Sequence, residues 1–467
     1  MASRKKTGTA RAFLMAVTKL LHFCVSVSGF LAVWWLFYSK TCTADYGFNV
    51  DVFSVLLYSV LLFFLFRSYD VYNIGYARTL DNVFGQVLSD LISAGAVYLA
   101  GSILFGGLLN PLYLLALCAV QAIWNFAWSK AAKALYYKIY KQRRAVVVYR
   151  NEADLARIEE IRHLERKFVI EKLIENPDND YKRLERELEG YEAILVAGVD
   201  ATLRNGIAKY CIENNVRGYF APHVGDIIMQ GATHLRSFHV PIFSVRRAFK
   251  PPFYLLVKRL FDFFVSLIAL VLISPIYLII SLVIKLSDGG PVLYKQKRLT
   301  KDGKVFNILK FRSMSVDAEK DGVARLASEN DDRITPIGKF IRAVRLDELP
   351  QLINILCGDM SIVGPRPERP EIAAQYEKEM PAFSLRLQVK AGLTGFAQVY
   401  GKYNSTPYDK LQMDLMYVNK MSITEDLRLM FATLRILFIP ESTEGIADGQ
   451  TTAMGYNNPT DATEKRC

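Results

Sequence analysis

Four apolar runs crowd into the first 130 residues, roughly Leu20–Tyr38, Val50–Phe66, Leu91–Leu109 and Leu112–Trp128. Each approaches the ~20 residues that cross a bilayer as a helix. Two such runs could be buried helices of a soluble core, but four in one block read as membrane spans. Trp34, Trp35, Trp124 and Trp128 stand near run ends, where interfacial aromatics collect. The first run lacks a small-residue cleavage site, so no cleavable signal is expected. A mean hydropathy of +0.15 agrees with a membrane protein, and 12% aromatic residues argue against a mainly disordered chain. At 467 residues, two or three domains are expected.

Basic residues orient the block. Arg4, Lys5, Lys6 and Arg11 precede the first run, Arg67 and Arg78 follow the second, and Lys130, Lys133, Lys138, Lys141, Arg143 and Arg144 attend the end of the fourth. The opposite side carries Lys40, Asp45 and Asp51 and the turn Asn110-Pro111, so both ends of the block should be cytoplasmic. The net charge of +12 fits an anionic membrane surface or phosphate-bearing substrates better than DNA, with plain solubility charge as the alternative. The six cysteines form no C-x-x-C pair, which leaves neither a zinc knot nor a disulfide framework indicated. All five histidines precede residue 250, so chemistry beyond that point must run on carboxylates, Lys, Arg or hydroxyls.

From Ala145 onward the pattern changes. Ala145–Tyr149, Phe168–Leu173, Ala193–Ala197, Val216–Phe220 and Val240–Val245 read as strands, with helical or highly charged stretches between the first four. Such alternation implies a parallel α/β sheet, here a Rossmann-like domain over 145–248. Its first turn, Tyr149-Arg150-Asn151-Glu152, has no glycine and carries an acid, so no dinucleotide function is expected. Spacer, regulator and weak ligand sensor stay open.

A fifth apolar run, Phe263–Ile284, is long enough to span but holds Ser274-Pro275 at its centre. Lys258 and Arg259 precede it, and Lys285, Lys295, Lys297, Arg298, Lys301, Lys304, Lys310 and Arg312 follow. A crossing would export that basic block, so a re-entrant hairpin broken at Ser274-Pro275 is expected, with Arg259 and Asp262 at its headgroup-level mouth. An ordinary kinked span is the alternative.

Dense polar clusters come next: Lys310-Phe311-Arg312-Ser313-Met314, then Leu346-Asp347-Glu348-Leu349-Pro350-Gln351-Leu352, Gly358-Asp359-Met360-Ser361, Val363-Gly364-Pro365-Arg366-Pro367-Glu368 and Gly392-Leu393-Thr394-Gly395. A carboxylate can attack phosphorus and form an acyl phosphate when cations neutralise the electrophile. Arginine grips phosphate oxygens as a fork, and a rigid Pro-Arg-Pro fixes where that fork points. An isolated Asp-Glu pair is most often a solvated surface pair. The neighbouring cations and the membrane run turn the reading toward phosphate chemistry at the cytoplasmic membrane surface.

With Lys258-Arg259-Leu260-Phe261-Asp262 and the Ser274-Pro275 break, these motifs make residues from about Lys258 to Tyr456 resemble the bacterial sugar transferase domain of polyprenyl-phosphate phosphoglycosyl transferases. The four spans and Rossmann-like domain resemble the larger members, which start exopolysaccharide, capsule or O-antigen synthesis. The resemblance implies transfer of a sugar-1-phosphate from a UDP-sugar to undecaprenyl phosphate, with release of UMP, a covalent phosphosugar–enzyme intermediate and a need for Mg²⁺. It implies Asp347 as nucleophile and Glu348 as its catalytic neighbour, both also candidate Mg²⁺ ligands. Substrate contacts are implied for Lys310, Arg312, Arg342, Pro365, Arg366 and Glu368. The sugar is a guess between glucose and galactose.

The expected architecture is therefore a membrane protein in four parts. Residues 1–130 form a four-helix transmembrane bundle, 145–248 the Rossmann-like α/β domain, 253–456 an α/β catalytic domain with the re-entrant hairpin at 263–284, and 457–467 a flexible tail. The expected location is the bacterial inner membrane, catalytic domain on the cytoplasmic face. UDP-sugar, undecaprenyl phosphate and membrane lipid are the expected partners, nucleic acid is not, and a homodimer stays open. A non-catalytic scaffold and a membrane-anchored oxidoreductase are the rivals; the intact Asp347-Glu348 pair argues against the first and the missing Gly-rich turn against the second.

Overall fold

The computed structural model describes residues 2–39, 49–75, 79–160, 167–175, 181–235, 240, 242–247, 250–314, 333–401 and 406–436. The chain divides into two compact units, Met1–Ala221 and Pro222–Cys467. The expected flexible tail, His163 and His239 fall outside the described residues.

The first unit opens with α1 (Ala2–Phe37), α2 (Val50–Ser68), α3 (Thr79–Leu104) and α4 (Leu112–Ile139). All four contain stretches long and apolar enough to cross a membrane. Their outer faces are apolar, with Leu20, Val60, Ile103 and Ile123 each more than 60% exposed. Polar groups lie inside, as the bilayer requires of side chains that cannot be hydrated. Asn125 Nδ2 donates to Asp90 Oδ2 at 2.7 Å, and its Oδ1 meets His22 Nε2 at 2.9 Å. Tyr58 O–H donates to Asp90 Oδ1 at 3.4 Å, so each of the four helices supplies one member. The third span begins a full three turns before the expected Leu91, because Asn82, Gln86, Ser89 and Asp90 hide their polarity in the bundle. Two of the tryptophans face into the bundle. Trp34 is buried and donates to Asp51 Oδ1 at 2.9 Å, and Trp128 stacks on His22 at 4.1 Å between centroids.

The same unit continues as β1 (Arg143–Tyr149), α5 (Glu152–Glu160), β2 (Phe168–Glu175), α6 (Tyr181–Leu188), β3 (Ala193–Ala197), α7 (Ala201–Glu213) and β4 (Arg217–Phe220). The four strands are all parallel, in the order β2-β1-β3-β4. This is the 2-1-3-4 doubly wound order, not the 3-2-1 order of the dinucleotide-binding sheet. β1 and β3 have near-continuous burial because helices cover both faces.

The expected fifth strand does not join this sheet. The second unit starts with α8 (Val224–Gln230), and β5 (Thr233–Leu235) pairs antiparallel with β6 (Ile242–Ser244) in a separate ribbon. Residues 222–248, assigned from sequence to the middle domain, belong to the second unit for a packing reason. Ile227 of α8 is buried against Ile372, Leu411 and Leu415, and Asn419 Nδ2 donates to Ile227 O at 2.6 Å.

Next come α9 (Pro252–Asp288), the antiparallel hairpin β7 (Leu293–Leu299) and β8 (Val305–Phe311), α10 (Pro336–Ala343), α11 (Gln351–Cys357), β9 (Ser361–Val363) and α12 (Pro370–Glu379). The unit ends with β10 (Gly392–Thr394), α13 (Phe396–Tyr400), α14 (Pro407–Lys420) and α15 (Ile423–Ile436). The break expected in the 263–284 hairpin is absent: α9 is one continuous helix of 37 residues through Pro275. Proline leaves the carbonyl of Val271 without its i+4 donor. Ser274 Oγ donates to that carbonyl at 2.7 Å, so Ser274-Pro275 continues the helix instead of ending it. Gly289, in the left-handed region at φ 70°, supplies the actual stop.

One stripe of α9 faces its own unit from end to end: Tyr254, Lys258, Asp262, Ser266, Ala269, Ile273, Tyr277, Ile280 and Ile284. The rest, including Leu260, Phe264, Ile268, Leu272, Ile279 and Leu286, is exposed and apolar. Asp262 is therefore not at a headgroup mouth. It accepts from Ser361 Oγ at 2.7 Å and Ile362 N–H at 3.2 Å, while Lys258 pairs with buried Asp426 at 2.7 Å. Arg259 donates to the carbonyls of Ile355 and Leu356 at the end of α11, where free carbonyls draw a cation.

Candidate active site

The core of the second unit brings β8, α11 and β9 together through Ile308, Leu352, Ile355 and Ile362. Asn354 stitches α11 to β8: its Oδ1 accepts from Leu309 N–H and its Nδ2 donates to Asn307 O, both at 2.9 Å. Lys310, one residue further on, is thereby aimed at the 3₁₀ turn Leu346–Glu348. Arg345 enters that turn at φ 55°, a sparsely populated conformation for a residue with a side chain. Such strain clusters at functional sites.

Glu348 Oε1 accepts from Arg366 Nη2 at 2.7 Å and Lys310 Nζ at 3.2 Å. Burial alone would raise its pKa, but Arg366, Lys310 and Arg345 hold the carboxyl well below the usual range. Asp347 behaves oppositely: burial pushes it up, against the pull of Lys310, Arg342 and Arg366. The two neighbouring carboxyls are thus driven in opposite directions by their surroundings. Burial also lowers Lys310, against the attraction of Glu348 and Asp347.

Arg366 reaches this point from a turn locked by glycines. Gly364 N–H donates to Thr394 O at 2.8 Å and Gly392 N–H to Pro365 O at 2.9 Å. A Cβ at Gly364 or Gly392 would collide with the opposing backbone, so the two glycine motifs interlock where only hydrogen fits. Pro365 is buried as a backbone brace. Glu368 faces arginines, with Arg298 Nη1 at 3.8 Å and Arg386 Nη1 at 3.9 Å.

Lys310, Glu348 and Arg366 line one cleft with Arg298, Gln351 and Gln398. Arg342 acts on Asp347 through its charge. Arg312 goes elsewhere: it is buried, and its guanidinium lies against Gly290 beside the end of α9. Sequence reading missed Arg298, Gln351 and Gln398. Alternation along β7 carried the signal for the first, since Lys295 and Lys297 point out while Gln296 and Arg298 point in.

Two adjacent acids with this many cations can hold a phosphoryl group against a nucleophile. Among the described residues no cluster of three or more His, Cys, Asp or Glu side chains gathers around a metal-sized point. Asp347 and Glu348 are hard oxygen donors of the kind Mg²⁺ takes together with substrate phosphates and water.

Residues 253–440 match the family model described as Bacterial sugar transferase. The chain is 40% identical to an Aeromonas hydrophila UDP-N-acetylgalactosamine-undecaprenyl-phosphate N-acetylgalactosaminephosphotransferase, over 40% of this chain and 44% of that one. It is 43% identical to a Klebsiella pneumoniae UDP-glucose:undecaprenyl-phosphate glucose-1-phosphate transferase, over 40% and 41%. The match thus spans less than half the length of these two relatives. Against the exopolysaccharide production protein PSS of Rhizobium leguminosarum bv. phaseoli it is 42% identical over 38% of this chain and 94% of that one. Matching a relative over nearly its whole length, and carrying the family's region on a site of this geometry, the chain belongs to the bacterial sugar transferase family.

Proposed function

We propose that this protein transfers a sugar-1-phosphate from a UDP-sugar to undecaprenyl phosphate at the cytoplasmic face of a bacterial inner membrane. The observation that carries the reading is the Asp347-Glu348 turn ringed by Lys310, Arg342 and Arg366. An Asp347 oxygen attacks the phosphorus that bears the sugar, and the bond from that phosphorus to UMP breaks. UMP leaves with the electron pair. A phosphate oxygen of undecaprenyl phosphate then attacks the same phosphorus and frees the carboxylate. Arg366 and Lys310 balance the diphosphate charge, and Glu348, held ionised, keeps both cations in place. Bound Mg²⁺, held by Asp347 with Glu348 beside it, would neutralise further charge on the diphosphate. One carboxylate serves donor and acceptor in turn, so the kinetics are ping-pong.

With a panel of UDP-hexoses and UDP-N-acetylhexosamines, the full chain in detergent should release UMP in turnover amounts only when undecaprenyl phosphate is added. Silence with every donor would sink the proposal. The panel also reads the sugar, on which the Aeromonas and Klebsiella relatives differ, one named for N-acetylgalactosamine and the other for glucose. Asp347→Asn should fold, lose at least about a thousandfold in rate, and take up no label from a sugar-labelled donor.

The continuous stripe on α9 supports membrane embedding without a crossing. From Tyr254 to Ile284 the helix runs about 45 Å, longer than the ~30 Å hydrocarbon layer. One domain packs on it from the Lys258 end to the Ile284 end, with lipid-suited residues on the other side. A transverse helix would drag the charged β7–β8 hairpin into the bilayer. Cysteines placed at Lys304 and Lys138 should both escape an impermeant thiol reagent outside intact cells; labelling at Lys304 alone would establish a fifth crossing.

A further inference from the structure

We propose that Arg386 and Asp414 act as a positioning pair that fixes where Arg366 points, and so sets the turnover of the site; this rests on the function proposed above. Neither residue belongs to a motif that suggested chemistry. Arg386 lies in the 3₁₀ segment Pro381–Gln388 and Asp414 in α14, and both side chains are buried, at 4% and 1% exposure. Arg386 Nη2 donates to the backbone carbonyl of Arg366 at 2.8 Å and stands 2.7 Å from Asp414 Oδ2. Its Nη1 is 3.9 Å from Glu368 Oε1, and its carbon lies over the Phe383 ring at 4.9 Å.

The turn is gripped from the other side as well. Arg298 Nη1 donates to Pro367 O at 3.0 Å, and Leu299 N–H donates to Glu368 O at 2.9 Å. Three consecutive residues, Arg366, Pro367 and Glu368, therefore have their carbonyls held, and prolines on both sides of Arg366 restrict the backbone further. The one freedom left is the Arg366 side chain, which ends on Glu348 Oε1 at 2.7 Å. A chain of contacts runs from Asp414 through Arg386 and the Arg366 backbone to the catalytic turn.

Stability alone is a poor reason for such a pair. Two buried opposite charges seldom outperform apolar residues of the same volume, because desolvation cancels their attraction. Burial pushes the Asp414 carboxyl up to about 6 even beside Arg386. A guanidinium fork, in contrast with an apolar side chain, can reach a carbonyl, a carboxylate and a second carboxylate in one plane. Misplacing a phosphate-binding arginine by about 1 Å can cost on the order of a hundredfold in rate.

The test is the double variant Arg386→Met with Asp414→Leu in the full chain, alongside Arg386→Lys. The double variant removes both charges of the pair together, and Glu368 keeps Arg298, so its thermal midpoint should stay close to that of the wild type. Its kcat should fall by about tenfold or more, with the donor KM within about a factor of three, as expected for loss of a transition-state contact. Wild-type kcat in a folded double variant would overturn the proposal and leave the pair a packing feature. If the double variant does not fold, Arg386→Lys decides: it keeps a cation opposite Asp414 but lacks the fork, and an unchanged kcat overturns the proposal equally. An inert wild-type chain would instead strike at the proposed function, so the two failures are distinct.

Discussion

Glu348 gives one oxygen to two cations, while Asp347, next to it, is the carboxyl that burial pushes upward. In the proposed reaction, a neighbour already neutralised leaves Asp347 to meet the electrophile. The gathering of Lys310 and Arg366 at Glu348 was legible through the resemblance, which named all three. Arg312 was not, because sequence proximity to Lys310 says nothing about a guanidinium that turns back over Gly290. Asp262 was misread for a related reason: a charge beside an apolar run suggests a headgroup until Ser361 and Ile362, a hundred residues later, fold onto it. Asp414 gives a prediction at this scale. Its carboxyl is raised to about 6 in the folded chain against about 3.9 unfolded. The folded state therefore binds the extra proton, and stability should fall as pH rises from about 4 to about 6, the full cost standing above that window. Thermal midpoints across this range should show the decline, and Asp414→Asn should flatten it; an equal slope in the variant would refute the assignment.

At the scale of elements, α9 shows how one hydroxyl changes what a proline does. A proline with a helix-avoiding predecessor implied a break, with an ordinary kinked span as the alternative; in the structure Ser274 turns toward Val271 O and the helix runs on. No spacing rule records that choice of rotamer. With α9 embedded as proposed, removing the hydroxyl leaves a carbonyl unpaired against lipid, a cost of about 1–3 kcal/mol. Ser274→Ala should lower the thermal midpoint, and adding Pro275→Ala, which restores the backbone N–H, should recover it. A double variant as unstable as Ser274→Ala would mean the hydroxyl serves another partner. The bundle helices were legible as apolar runs, but α3 was placed late because its polar residues face inward, and hydropathy cannot tell a hidden Asp90 from a solvated one.

For the whole molecule, the boundary at Ala221/Pro222 lies well before the matched region, which begins at 253. Periodicity put residues 222–248 with the preceding strands because α8 and the β5–β6 ribbon continue the strand-helix rhythm. The partner of α8, α14, lies almost two hundred residues away. A chain begun at Pro222 should keep UMP-releasing activity in detergent, whereas one begun at Pro252 uncovers Leu411 and Leu415 and should melt at lower temperature. Equal midpoints for the two truncations would dismiss the role given to α8. The polar knot inside the bundle has a consequence for how the chain is made. Asp90 finds Tyr58 on a helix synthesised before it and Asn125 on one synthesised after it. Left alone among acyl chains, α3 would present a carboxyl to hydrocarbon. α3 is therefore a poor passenger by itself, and its insertion is expected to be favoured once α4 brings Asn125, the two entering as a hairpin about Asn110-Pro111.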